Sequence, residues 1–440
     1  MSGPADNLTP IPGGIVTRVE ALGFRSLRHV AQDLGPFHVL VGPNGSGKST
    51  FLDVIAFVGD VVRVGLQTAI EGDARLGIPH RAPDAKHLTW LRIGTRIELA
   101  VEFSIPEERL TRLDQGQART CRYELGLDVG QQLQVTSEAL WLRPPAKPQA
   151  QRPTQRSLFP DPPTPPAHIV HQIRERKPAS WKKILLRGEE PGSVTFSSET
   201  GNWKSPFRIA QDKAALASLP EDVDKFPVAT WFRQTLSTAV QRIALSGDAM
   251  RQPSPPGRPR SFQPDGSNLP WVVHDLETGH PERFAWWLAH VREALPELKS
   301  VTTKEREEDR HRYLVVTYQN GLEAPSWLVS DGTLRLLALT LLAYVPTLTG
   351  TLLIEEPENG IHPRAIETVF QSLSSVYGAQ ILLATHAPIV LGMSKLDQVL
   401  CFAKTAAGET DIVLGNQHPR LLDWQGTTDL GTLLAAGVLS

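Results

Sequence analysis

Cysteine is nearly missing from this sequence: Cys121 and Cys401 are the two among 440 residues. Two thiols cannot build a disulfide framework, so the expected compartment is a reducing one. A dominant charge is missing as well. Lys and Arg number 45 against 47 Asp and Glu, a net charge of −2. No global field therefore draws the chain to nucleic acid or membrane, and any such contact must come from a local patch. The opening MSGPADNLTPIPGG has no basic or apolar leader segment. Long hydrophobic runs are also absent. The most apolar stretch, Leu334–Ile354, carries Arg335, Pro346 and Gly350, which suits buried core rather than a membrane span. The expectation is a cytoplasmic protein without a membrane. With 40% apolar and 21% charged residues, the composition is that of a globular chain of about three domains, or of one large core carrying an insertion.

Along the chain, Ile15–Phe24 is rich in β-branched residues. Phe37–Val41 is a short apolar run ending in a Gly/Pro/Asn turn, and Thr50–Val64 has apolar residues at helical spacing. Residues 37–64 thus read as strand, glycine turn, helix. Nine prolines fall between 144 and 166, and a second cluster spans Arg251–Pro270. Such segments cannot form regular helix or a central strand. Between them a helix is expected at about 226–245. Further on, Pro281–Leu295 reads as helix, and Val301–Thr303 and Arg312–Tyr318 as strands around a charged turn. From Ser330, helix and strand alternate again. The predicted organisation is an α/β core in two segments, 1–143 and 265–440, separated at 144–264 by a proline-rich loop and an inserted lid or arm.

Gly42-Pro-Asn44-Gly45-Ser46-Gly47-Lys48-Ser49, followed by Thr50, matches G-x-x-x-x-G-K-[ST] between a strand and a helix. Its glycines let successive backbone N–H groups face the phosphates of a nucleotide, aided by the positive end of the helix. Lys48 supplies a point charge to the β/γ oxygens, and the Ser49 hydroxyl is placed to ligate Mg²⁺. The run TLLIE at 351–355 leads straight into Glu356, Pro357 and Glu358. A buried strand ending in carboxylates suits a cation and a water. Glu355 would hold the Mg²⁺ shell and Glu356 would act as general base. A second apolar strand, Gln380–Ala384, ends in Thr385 and His386, and His386 could reach the γ-phosphate and position water. Ser330-Asp331-Gly332-Thr333 precedes an apolar helix. It reads either as a helix cap or as a group that receives the γ-phosphate of a nucleotide held by a second subunit. The histidines elsewhere have no metal-ligand spacing, so Mg²⁺ is the one metal expected.

GPNGSGKST, SDGTLRLLAL, LLIEEPENGIHP and LLATHAPIVL, in this order, resemble the ABC-class P-loop ATPases related to RecF, SMC and OLD proteins. The likeness is greatest to the AAA-type, OLD-like members that lack a long coiled coil. It covers about residues 15–140 and 265–440, with DGSNL at Asp265–Leu269 as a weaker match. The resemblance implies two heads closing head to tail around two ATP molecules, with Ser330–Thr333 acting in trans and Arg25 and Ser26 touching the nucleotide. Glu355 stands where the family has aspartate, one methylene longer. SDGT in place of SGGQ argues against a transporter subunit.

Three functions follow. The first is an ATP-hydrolysing switch, a homodimer or higher homo-oligomer that controls a partner. Residues 387–440 are too few for the nuclease domain many OLD-like proteins carry, so the resemblance implies a separate effector such as a nuclease, in bacterial anti-phage defence. The second is a RecF-like DNA-repair ATPase. Arg174, Arg176, Lys177, Lys182, Lys183 and Arg187, with Trp181 among them, offer phosphate contacts within 168–187, or else form a solvated basic face. The third is a scaffold that binds ATP without hydrolysing it.

Overall fold

The computed structural model describes residues 14–113, 118–144, 164–171, 180–257 and 259–418. Most of the first proline cluster, and Arg174, Arg176 and Lys177 of the basic stretch, lie outside them. The chain divides into two compact units. One comprises residues 1–36, 44–240 and 402–412, the other 37–43, 241–401 and 413–440.

The first unit is built on an eight-stranded sheet, antiparallel throughout. Its order is Leu27–Asp33, Val16–Phe24, Arg96–Ser104, Thr120–Val129, Leu133–Arg143, Lys182–Arg187, Ser193–Ser197, Lys204–Arg208. The helix Lys48–Val64 buries Phe51, Leu52, Ile55, Phe57 and Val58. Phe57 stacks on Phe24 of the sheet at 5.6 Å, and Phe51 meets Phe402 edge-on at 5.7 Å. The segment 144–264, expected to hold a proline-rich loop and an inserted lid or arm, contributes to both units. Its strands 182–208 continue the sheet begun by residues 16–143, and from Gln241 the chain belongs to the second unit. The prolines that frame this segment disguised two strands, the apolar run KILLR, which buries Ile184 and Leu185, and the alternating SVTFS, which buries Val194 and Phe196.

The expected helix at 226–245 is also shorter. Pro227–Gln234 is α-helical, one wide π turn covers Thr235–Ala239, and Val240–Ile243 is a strand. The β-branched Val240 and Ile243 favour extended backbone once a neighbouring strand is available.

A second sheet, most of whose residues belong to the second unit, is ordered Val240–Ile243, Thr351–Glu355, Gln380–Ala384, Phe37–Val41, Val399–Lys404, Thr410–Leu414. Phe37–Val41 pairs in parallel with both Gln380–Ala384 and Val399–Cys401. A strand from the N-terminal segment thus completes a sheet made by the C-terminal one, as the sequence leads one to expect. Helices Asp331–Leu341 and Pro363–Ser374 pack in the same core, with Leu334, Leu337, Val369 and Leu373 buried. The hairpin expected around 301–318 forms as Leu298–Glu305 and Arg312–Tyr318.

One face of the first sheet is held by buried charge. Arg122, 3% exposed, donates to Glu20 (2.9 Å), Glu102 (2.9 Å) and Glu124 (2.6 Å). Glu98 accepts from the backbone N–H groups of Ile169 and Val170, and Glu124 from that of His171, which ties the 168–171 segment to the sheet. Burial opposes ionisation of Glu20, yet the Arg122 and Arg18 guanidinium groups outweigh it and bring its carboxyl down to about 2. Removing Arg122 takes the shared cation from three carboxylates and leaves Glu20 with Arg18, Glu102 with Arg143, and Glu124 with His171 and Trp141. Arg122→Met should lower unfolding free energy by about 3–5 kcal/mol at pH 7. Glu20 stabilises the fold above its unfolded value near 4.5 and loses that contribution as pH falls toward 2, so the gap between the two proteins should narrow in acid. Denaturant unfolding at several pH values checks both statements.

Candidate nucleotide site

The second unit aligns three strand ends. Glu355 lies opposite Ala384, and Ala384 opposite Leu40, in parallel register. The carboxyl edge of the sheet therefore carries Glu355 and Glu356 at one strand, Thr385 and His386 at the next, and Val41–Gly42 at the third. Open α/β sheets bind ligands at that edge.

From Gly42 (φ 147°) the chain runs through the glycine turn, with Gly45 at φ 75° and Gly47 at φ 107°, into the helix that begins at Lys48. Gly47 is required for two reasons. Its φ is left-handed, and a Cβ there would collide with the Thr410 hydroxyl and come within 3.0 Å of Ser26 Oγ. Thr410 Oγ1 donates to the Ser46 carbonyl (2.8 Å) and to Ser26 Oγ (3.1 Å), bracing the turn from below. Lys48 is buried at the helix start, while Asn44, Gly45 and Ser49 are exposed and Thr50 half-buried. The Ser46 hydroxyl is buried without a hydrogen-bond partner. A buried unmatched donor in a turn lined by backbone N–H groups suits an anionic oxygen. These residues fit a nucleotide phosphate.

Glu356 sits just past the strand end with φ 47°, a left-handed conformation costly for a residue with a side chain. Its N–H donates to the Ala384 carbonyl at 2.7 Å, which holds the backbone there. The half-exposed Glu356 carboxylate accepts from Asn359 Nδ2 at 2.5 Å and has His386 Nε2 at 3.8 Å. Glu356 and His386 are thus brought together as expected. Glu358, whose part the sequence reading missed, joins the two strand ends. Its Oε1 accepts from the Thr385 hydroxyl (2.7 Å) and the His386 N–H (2.9 Å). Glu355, the expected magnesium ligand, is ion-paired to Arg242 on the adjoining strand. Among the described residues no group of three or more His, Cys, Asp or Glu gathers as a metal cluster. A nucleotide-bound Mg²⁺ needs only one or two protein ligands, so Ser49 and Glu355 remain chemically suitable.

Ser330 caps the Asp331–Leu341 helix, its Oγ accepting from the Thr333 N–H at 3.2 Å. Asp331 pairs with Arg251 at 2.6 Å. The Gly332 backbone lies so near the Gly360 carbonyl that a Cβ would come within 2.5 Å of it. The four residues are exposed or half-buried at the helix N-terminus. Arg25, expected to touch nucleotide, has φ 48° and donates to Asp53 and to the Arg81 carbonyl, both at 3.0 Å. In the basic stretch, Arg187 is buried against Glu138 (3.2 Å) and so is no part of a solvated patch, and Lys182 donates to the Glu199 carbonyl. Trp181 lies 4.9 Å from the His171 ring.

A family model described as "AAA domain, putative AbiEii toxin, Type IV TA system" matches residues 37–392. No curated protein sequence matches the chain. Among solved structures the chain is similar to the Smc head bound to the C-winged helix domain of ScpA. That match has 13% identity and a TM-score of 0.51, over 91% of this chain and 97% of that one. The Smc head with an extended coiled coil bound to the C-terminal domain of ScpA from Pyrococcus furiosus aligns at 11% identity and a TM-score of 0.47, over 91% and 96%. The first likeness identifies the fold as that of an SMC-type P-loop head. No helix among the described residues is long and apolar enough to cross a membrane.

Glu358 positions His386 through its backbone N–H. For a site that hydrolyses ATP, Glu358→Ala, which removes the acceptor, should slow turnover by up to about 100-fold, since small displacements of a reacting group can cost that much. Nucleotide affinity should stay within about twofold, and steady-state phosphate release with equilibrium binding of a fluorescent ATP analogue reads the two separately.

Proposed function

This chain belongs to the AAA-domain family and has the fold of P-loop ABC-type ATPases related to SMC and RecF, and from that premise we propose that it is an ATP-hydrolysing switch which closes head to tail around ATP. The observation that carries the proposal is the strained Glu356 at the carboxyl edge of the sheet, facing His386 and held by Ala384. Backbone strain of this kind persists where the surroundings over-determine it, and it concentrates at reacting groups.

In this reading the glycine turn wraps the triphosphate with backbone N–H groups, the Ser46 hydroxyl gains its missing partner, and Lys48 neutralises the β/γ oxygens. Ser49 and Glu355 carry the oxygens that would hold magnesium, which when bound would offset the charge on the terminal phosphates. Glu356 takes the proton of the attacking water, and His386 orients that water. Exposed Ser330, at the positive end of its helix, receives the γ-phosphate of the partner copy together with Gly332 and Thr333. Those trans contacts exist only in the closed pair, so ATP favours closure by its differential affinity for that state, and hydrolysis releases it.

The switch acts on a separate effector protein. The wording of the matched family, which names a toxin of a type IV toxin–antitoxin system, supports a role in bacterial defence, with a nuclease as one such effector. DNA contact through 168–187 is the weaker reading, because Arg187 is committed to Glu138.

Glu356→Gln should bind ATP as the parent does, lower turnover by about 100-fold or more, and accumulate an ATP-dependent dimer on size-exclusion chromatography with light scattering. Ser330→Arg should bind ATP as a monomer and form no dimer. Parental turnover by Glu356→Gln would remove the assignment of the base, and loss of monomer binding in Ser330→Arg would return Ser330 to a helix cap.

A further inference from the structure

The carboxylate assigned to magnesium is already occupied by a cation of the chain itself. Glu355 ends the Thr351–Glu355 strand, and Arg242 lies on Val240–Ile243, its neighbour in the sheet. Arg242 Nη2 donates to Glu355 Oε1. Both side chains are partly open to solvent, 38% and 24% exposed. Glutamate at this position reaches one methylene farther than aspartate would, far enough to meet a guanidinium on the next strand. A guanidinium and a hydrated magnesium ion recognise the same oxygens, one by directed N–H bonds and the other by charge and ordered water. Both draw on the same negative charge, so each weakens the hold of the other on that carboxylate.

Resting on the assignment of Glu355 above, we propose that Arg242 is a positioning residue that competes with Mg²⁺ for Glu355. In the nucleotide-free chain Arg242 neutralises the carboxylate and keeps it at the sheet edge. With magnesium bound alongside ATP, Glu355 would face the ion and Arg242 would give up its bond, and this exchange would set the Mg²⁺ concentration at which nucleotide is held tightly. A half-exposed ion pair is a modest competitor, which suits an exchange that must occur in every cycle. Arg242 thereby couples the state of the strand at 240–243 to occupancy of the metal position.

The test is the Mg²⁺ dependence of binding, followed with a fluorescent non-hydrolysable ATP analogue on the full chain, so turnover does not enter. Arg242→Gln should lower the Mg²⁺ concentration for half-maximal tight binding by about two- to fivefold, the range expected from releasing a partly exposed pair. Arg242→Lys, which keeps the charge without the planar fork, should fall between. In Glu355→Gln the Arg242→Gln change should have no further effect. An unchanged or raised Mg²⁺ requirement in Arg242→Gln would overturn the proposal, since Arg242 would then be a bystander or would hold Glu355 ready for the metal. If Glu355→Gln itself leaves the Mg²⁺ dependence intact, or Lys48→Ala still binds the analogue, the underlying assignment of the site has failed rather than the competition.

Discussion

Everything functional in this chain depends on one register: three parallel strands whose carboxyl ends fall in line. Because Glu355 faces Ala384 and Ala384 faces Leu40, the acidic strand end, the threonine–histidine end and the entrance to the glycine turn share one edge. Side chains alternate along a strand, so a slip of one residue would reverse them all. At the start of the paired strands the buried Thr351 hydroxyl donates to Gln380 Oε1 at 2.9 Å, and a slip would leave both groups buried without that bond.

Around that edge, short polar contacts do the fine placement. The Ala384 carbonyl takes the Glu356 N–H and so sustains a backbone angle that a residue with a side chain would otherwise avoid. Glu358 ties Thr385 and His386 to the loop that follows Glu356. On the other side of the glycine turn, Thr410 supports Ser46 and Ser26. The carbonyl of Gly360 packs against Gly332, so the Asp331–Leu341 helix and the acidic loop are in contact within one unit. None of these contacts is chemically reactive. Their effect is to leave few ways for the reactive groups to be misplaced.

Much of this was legible in the residues. The glycine turn announces itself by spacing, and the paired glutamates by following an apolar run. The junction of Phe37–Val41 with the C-terminal strands follows from two half-patterns that need each other. What stayed hidden is mostly long-range. Thr410 sits more than 350 residues from Ser46, its hydrogen-bond partner, and nothing local marks it. Arg242 lies in a stretch whose helical appearance concealed a strand, and its pairing with Glu355 depends on which strand becomes the neighbour. The strands at 182–208 were misjudged because prolines on either side suggested a separate arm, whereas their apolar residues carried them into the first sheet. The basic stretch misled for a related reason: charge in sequence does not say which arginine finds a buried carboxylate, and Arg187 did.

The central claim is that a terminal phosphate is cleaved at this strand edge with help from a second copy. Phosphate release per chain, measured with Mg²⁺ and ATP over a wide range of chain concentrations, tests it most directly. The account predicts a rate per chain that is low in dilute solution and climbs to a plateau as copies pair. Absence of phosphate release at every concentration, or a rate per chain that never varies with concentration, would contradict it.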